Sequence, residues 1–395
     1  MSKMEEFLNW CRHRDFKIEG VEVRSSGEGA GNGIFAARSY RRDERVIRMN
    51  DMYLITAGMV ADTPFYAIIL EAADIKLNPF EVLTLFFCME KSPKSEWTPY
   101  LDVLPQVFGT PAFQEKEYDP NDMPLSIRSF YDTQLKDIRS NFRNITTVVP
   151  SIDFRTFIWA WHIVNTRCIY VDNRHHYRID CTDGDNLAVI PFVDMFNHEP
   201  VEQCVALHFK ACKTYEVLAA RCIQPGEELH VTYGPHDNLR LYIEYGFVID
   251  NNMNGKVIIP KDLFLVLAHN AGIEIHDKLE RVIYEADVPT TLYKSDEGAG
   301  YSFRTNIRIL LLNKKELDKW QEIVYREHSQ DSDEDELDDS LIRENEIIEK
   351  MMMELLPSIE QKREKAHPEI QWMWDDQILI VQKVLETVQS EENSN

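Results

Sequence analysis

Pro191-Phe192-Val193-Asp194-Met195-Phe196-Asn197-His198-Glu199-Pro200 sets three polar side chains, Asp194, Asn197 and His198, within five residues among apolar neighbours. The run before it, residues 187–190, is apolar and strand-like, so the polar trio follows the end of a strand. An asparagine next to a histidine supplies both donors and acceptors to a polar ligand edge such as an adenine or an ammonium. One aspartate and one histidine at this spacing do not complete a metal-ligand set, and no nearby Cys or His pair helps, so no metal is expected. Taken alone, the stretch reads equally well as a turn around a hydrogen-bonded core histidine.

The segment that gives it meaning lies thirty residues on. Residues 228–233, Glu228-Leu229-His230-Val231-Thr232-Tyr233, form a strand ending on a tyrosine; Gly234-Pro235 breaks the chain; a short helix follows and returns Tyr245-Gly246-Phe247. Tyrosines at strand and helix ends are often no more than core edges. Upstream, Gly27-Glu28-Gly29-Ala30-Gly31-Asn32-Gly33 would let a ligand approach the backbone closely. It is not a dinucleotide fingerprint, because Asn32 takes the sixth position of G-x-G-x-x-G and the strand-like Ile34-Phe35-Ala36-Ala37 follows in place of a helix. A flexible β-turn remains the competing reading.

Around these segments the texture of the chain changes several times. Residues 1–19 carry an amphipathic helix with Phe7, Leu8 and Cys11 near one face. Strands are expected at 21–24, 34–37 and 45–49, then again at 187–190, 204–209, 214–219 and 228–233. Between about 55 and 165 the spacing of Val82, Leu85, Phe86 and Met89, and of Phe154, Phe157, Trp161 and Val164, is helical. Within that stretch Trp97-Thr98-Pro99-Tyr100-Leu101-Asp102-Val103-Leu104-Pro105 reads as a rigid connection. One β domain over 20–250 is thus divided by a helical insert, and residues 255–395 read as a separate all-α domain, with Trp374, Ile378, Val381, Leu385 and Val388 stepping by four and three. Seven of the nine residues 331–339 are acidic, and the stretch 327–340 is expected to be a solvated loop.

A chain of 395 residues exceeds one ordinary core, and 44% hydrophobic with 28% charged residues is the composition of a folded, non-membrane protein. No apolar run is long enough to span a bilayer, so no membrane association is expected. The first residues bear acids where a basic n-region would sit and lack an apolar h-region, which points to an intracellular protein, cytoplasmic and nuclear. Seven cysteines without a C-x-x-C pair argue for reduced, mostly buried thiols. The formal charge of −24 disfavours direct nucleic-acid binding and would draw in a protein partner with a basic segment, such as a histone tail, although such a charge can equally serve solubility alone.

In this order the pieces resemble the SET-domain protein methyltransferases. The resemblance extends to the subgroup typified by the Rubisco large-subunit lysine methyltransferase, carried also by Trp159-Ala160-Trp161 and Val164-Asn165-Thr166-Arg167. It implies an α+β fold: a SET domain of small sheets with a pseudoknot, split by a helical insert and followed by a helical substrate-binding domain. The implied cofactor is S-adenosyl-L-methionine. Its implied contacts are Gly31, Asn32 and Gly33 at the methionine end, Arg167 at the carboxylate, Asn197 at the ammonium and carboxylate region, and the His198 backbone at the adenine edge. Asp194 matches an acidic residue of the same site. Tyr233 matches the catalytic tyrosine, also next to the cofactor, while Tyr245 and Phe247 would border the substrate channel, Phe247 touching the cofactor as well. No cysteine cluster follows Phe247, so the helical domain, rather than a zinc-bound wall, is expected to close the channel.

The expected activity is therefore methyl transfer to a lysine ε-amine of a histone or another protein, by a monomer. A histidine acceptor is the alternative within the same chemistry. A catalytically silent SET domain that only binds peptides is the alternative from another class, since fold does not fix function.

Overall fold

The computed structural model describes residues 2–27, 31–116, 118–295, 299–326 and 334–394. The chain divides into two compact units: residues 1–116, 133–235 and 242–247 form the first, and residues 117–132, 236–241 and 248–395 the second.

The first unit opens with α1 (Lys3–His13), started by a capping box in which the Ser2 hydroxyl accepts from the Glu5 N–H and the Glu5 carboxylate accepts from the Ser2 N–H. Phe7, Trp10 and Cys11 bury its apolar face. Next come β1 (Val21–Ser25), β2 (Asn32–Ala36), β3 (Arg45–Asn50) and β4 (Ile55–Thr56). The insert follows as α2 (Ala57–Asp62), α3 (Pro64–Ala72), α4 (Pro79–Glu90), α5 (Thr98–Leu101), α6 (Leu125–Val148), of which residues 125–132 count with the second unit, and α7 (Phe154–Arg167). Helix α4 begins with Asn78 as cap and Pro79 in the first turn, where a missing N–H costs nothing. The carboxylate of its buried Glu81 also accepts from the amides of Asn141 and Asn144, tying α4 to α6.

The chain then returns to strands: β5 (Cys168–Tyr170), β6 (Leu187–Val189), β7 (Asn197–His198), β8 (Cys204–Phe209), β9 (Thr214–Ala219) and β10 (Glu228–Val231), with α8 (Asn238–Tyr245) after them. They form three small sheets, ordered β1-β2-β10-β7, β3-β9-β8 and β4-β6-β5. Strand β10 runs antiparallel to β2 and parallel to β7, with His230 opposite Asn197 and Val231 opposite His198. This parallel pairing joins the two segments that the pseudoknot expectation placed side by side. A common core runs from α1 through the sheets into the insert, including Ile34, Leu229, Phe192, Phe196, Phe157 and Trp159.

The second unit is helical apart from a two-stranded antiparallel ribbon of β11 (Lys256–Ile258) and β12 (Thr291–Tyr293). Its helices are α9 (Lys261–Asn270), α10 (Asp277–Glu285), α11 (Gly300–Leu311), α12 (Trp320–Arg326), α13 (Glu334–Lys365) and α14 (Gln371–Ser394). They bury a core of their own around Phe264, Ile307, Ile348, Met351 and Val381. The expected acidic loop at 327–340 lies partly outside the described residues, and 334–340 begin α13 instead.

Among the described residues no helix is long and apolar enough to cross a membrane. The cysteines are all free; Cys11, Cys88 and Cys204 are buried, but Cys212 and Cys222 are exposed, which corrects the expectation of mostly buried thiols. Cys212 lies in the turn between β8 and β9, and Cys222 in the connection between β9 and β10.

Candidate active site

The pairing of β7 with β10 decides the geometry, because it sets Asn197 and His198 beside the residues that lead into Tyr233. The Tyr233 N–H donates to His198 Nδ1 at 3.1 Å, so neutral His198 carries its proton on Nε2. The Tyr233 hydroxyl donates to the Phe196 carbonyl at 2.7 Å. Its ring lies over His198 with centroids 5.1 Å apart and planes 28° apart. Tyr245 also stands 5.1 Å from the Tyr233 ring, tilted by 39°, and Phe247 completes the aromatic group, 6.1 Å from Tyr245 and 6.3 Å from His198. Burial pushes the Tyr233 phenol up to about 12, with Arg167 pulling it down and Asp194 adding to the rise.

A second cluster is ionic. Arg167, the last residue of α7, donates through Nη1 to both the backbone carbonyl and Oδ2 of Asp194, at 2.8 and 3.0 Å. Oδ2 also accepts from the Tyr100 hydroxyl at 2.8 Å. The Asp194 side chain is fully buried. Burial pushes its carboxyl above the usual range, against the pull of Arg167 and Tyr100. Removing the partner of such a charge costs far more than the pair gains, so the arrangement fixes geometry rather than adding stability. Among the described residues, Nε of Arg167 and Oδ1 of Asp194 are buried with no hydrogen-bond partner.

The third cluster lies where β2 meets β10. Asn197 Nδ2 donates to Glu228 Oε1 at 2.7 Å and to Ser26 Oγ at 3.0 Å, and the Ser26 hydroxyl donates to the same carboxylate oxygen at 2.7 Å. Gly33 sits against this trio so closely that a Cβ there would collide with Glu228 and Ser26 and crowd Asn197 at 2.9 Å. Glycine is needed here for close approach. Gly31, with φ +74°, and Asn32 lead into β2 and are exposed; residues 28–30 of the glycine run lie outside the described residues.

The structure thus brings Asn197, His198, Tyr233, Tyr245 and Phe247 into one group, pairs Arg167 with Asp194, and sets Gly33 against Asn197. Sequence reading gave no role to Tyr100, Ser26 or Glu228. Tyr100 sat in the connection marked rigid by its prolines, and Glu228 opened a quoted strand, but neither pattern states what the side chain meets. Among the described residues no group of three or more His, Cys, Asp or Glu is placed to hold a metal ion.

The family model of the SET domain matches residues 31–234, 204 of the 395 residues. The chain belongs to the SET-domain family. Among curated relatives, SET domain-containing protein 4 of Mus musculus is 26% identical over 348 residues, covering 84% of this chain and 78% of the relative. A ribosomal lysine N-methyltransferase of Schizosaccharomyces pombe is 26% identical, covering 79% and 81%. An actin-histidine N-methyltransferase of Canis lupus familiaris is 23% identical, covering 79% of this chain and 54% of its own length. The SET domain of LSMT, solved bound to lysine and AdoHcy, superposes with a TM-score of 0.63 at 15% identity, covering 100% of this chain and 93% of that one. That likeness of fold takes in the residues beyond 234 as well, the helical C-terminal unit included.

Proposed function

We propose that this SET domain transfers a methyl group from S-adenosyl-L-methionine to a lysine ε-amine of a protein. The observation that carries the reading is the placement of Tyr233, stacked on His198 and tilted against Tyr245, with its hydroxyl proton committed to the Phe196 carbonyl. A relative of similar length named as a lysine methyltransferase supports lysine as acceptor.

The residues present fit the cofactor. Arg167 keeps a buried Nε–H free to meet a carboxylate, and Asn197, its amide nitrogen held by Glu228 and Ser26, turns its carbonyl oxygen into an acceptor for an ammonium. Gly31, Asn32 and Gly33 would line the same end, and the His198 backbone would meet the adenine. Asp194 would act from behind, by fixing Arg167. The cofactor supplies an electrophilic methyl on a sulfonium, and aromatic faces such as Tyr233 and Phe247 attract that cationic centre.

For transfer, a neutral amine must lie in line with the methyl, forming the N–C bond as the S–C bond breaks. A lysine has an ordinary pKa of about 10.4, and loss of water together with the like charge of the nearby sulfonium disfavours its charged form, so its proton leaves to water before attack. Tyr233 is no general base: burial pushes its own phenol up to about 12. Because that proton points at Phe196, the phenol oxygen presents lone pairs to the amine N–H and orients it. Tyr233→Phe should lower kcat by on the order of 10²-fold while leaving S-adenosylmethionine affinity within about threefold. The measurement is transfer of labelled methyl to lysine-bearing and histidine-bearing peptide panels, beside calorimetry with the cofactor. Full activity of the variant sinks the role of Tyr233; label only on histidine moves the acceptor; no cofactor binding by the native protein favours a silent, peptide-binding domain. The charge of −24 supports an acceptor with a basic segment, a histone tail among the candidates.

A further inference from the structure

Helix α8 ends one residue before Gly246, between the two channel aromatics Tyr245 and Phe247. The last carbonyls of a helix have no intrahelical donor and must find one elsewhere. Here both donors come from the insert. Asn165 Nδ2 donates to the Glu244 carbonyl at 2.9 Å, and Gln134 Nε2, on buried Gln134 of α6, donates to the Ile243 carbonyl at 3.3 Å.

A third hold acts on Gly246 itself. Its φ of +83° is the left-handed conformation of a helix C-cap, and its Cα lies so near the Gly109 and Thr110 backbone that neither Gly246 nor Gly109 could carry a Cβ. The Thr110 hydroxyl is held at 2.8 Å by His162 Nε2, and His162 is anchored through Nδ1 on the Ile158 carbonyl at 2.8 Å. His162 and Asn165 are three residues apart on α7 and share one face. One helix face of the insert therefore grips the chain on both sides of Tyr245. Arg167, two residues beyond Asn165, points to another face, toward Asp194.

We infer that the insert sets the width of the acceptor channel, with Asn165 as the positioning residue: through the Glu244 carbonyl it fixes the distance from Tyr245 to Tyr233, and so determines how many methyl groups the acceptor nitrogen can receive. The inference rests on the methyl-transfer reading for its consequence but not for its geometry. Asn165 touches no ligand. It acts on the position of a ring that stands 5.1 Å from Tyr233. Losing the amide donor removes this hold on the Glu244 carbonyl and lets the turn shift, which opens room beside the amine.

The test places 3-fluorotyrosine at position 245 and compares the native protein with Asn165→Leu and, as a second break of the same clamp, Gln134→Leu. Fluorine NMR, calorimetry with S-adenosylmethionine, thermal melting, and mass spectrometry of methylated lysine peptides are read on each. Both variants should shift or broaden the fluorine resonance. Cofactor affinity should stay within about threefold, while acceptor KM rises about tenfold and the distribution of mono-, di- and trimethylated product changes. An unmoved resonance and unchanged product distribution in a folded variant overturn the inference, whatever the melting temperature does. A fall in cofactor affinity as large as the rise in acceptor KM also overturns it, because Asn165 would then act through Arg167. If the native protein binds no cofactor, methyl transfer fails as a function and the channel role falls with it, while the fluorine resonance still reports separately whether Asn165 holds Tyr245.

Discussion

Tyr100 has its phenol in the interior, donating to a carboxylate that already holds a guanidinium, and nothing near it in sequence announces this, because its partner Asp194 is 94 residues away. A hydrogen bond to a charged, buried acceptor contributes about 1.5–3 kcal/mol. Tyr100→Phe keeps the ring and removes only that bond, so urea unfolding should show a loss of about that size. A variant as stable as the native protein would mean that Arg167 alone satisfies Asp194. What the sequence does disclose at this scale is residue type in order: an asparagine-histidine pair after a strand, and a tyrosine at the end of a later one. What it withholds is the ring stacking of Tyr233 on His198 and the tie of Asn197 to Ser26 and Glu228, since each depends on strands that meet only after folding. Phe192 is a further case. It is buried with φ +75°, a conformation that costs a non-glycine residue energy and that a sequence pattern cannot reveal.

Helix α7 shows how an element serves a site beyond its own length. Its apolar spacing was plain in the sequence, and the strands at 204–209 and 214–219 stand at the expected residues. Strand β7 was not legible, because two residues carry no periodicity and owe their strand character to β10. The polar residues of α7 were equally opaque: His162 is fully buried inside the insert, between Phe108, Phe113 and Thr110. Burial lowers its pKa to about 4 from 6.5, the Ile158 carbonyl opposing. The folded state thus binds fewer protons than the unfolded state between those values. The stability that follows is fully present above pH 6.5 and is lost as pH falls toward about 4, at up to about 1.4 kcal/mol per unit. Unfolding free energy measured in urea should drop by about 2 kcal/mol between pH 7 and pH 5 relative to His162→Gln, which cannot titrate. A constant difference between the two proteins across that range would show that His162 is already charged in the fold or reaches water.

At the scale of the whole molecule the dominant quantity is the charge, 67 acidic against 43 basic residues. Composition alone discloses it, yet composition does not say what the charge is for. A field of this sign acts over the Debye length, about 30 Å at 0.01 M salt and about 3 Å at 1 M. If it steers a basic acceptor, the effect falls on encounter and not on chemistry: kcat/KM for a lysine-rich peptide should drop by more than about tenfold across that range while kcat holds. A peptide with the same acceptor lysine in a neutral surround separates steering from a general salt effect on the enzyme, because its kcat/KM should change by no more than about twofold. Equal salt slopes for the two peptides would assign the negative charge to solubility and remove the preference for basic acceptors. A steeper slope for the basic peptide, with kcat unchanged, would tie the acidic surface to substrate choice and leave the aromatic channel to decide which nitrogen is methylated.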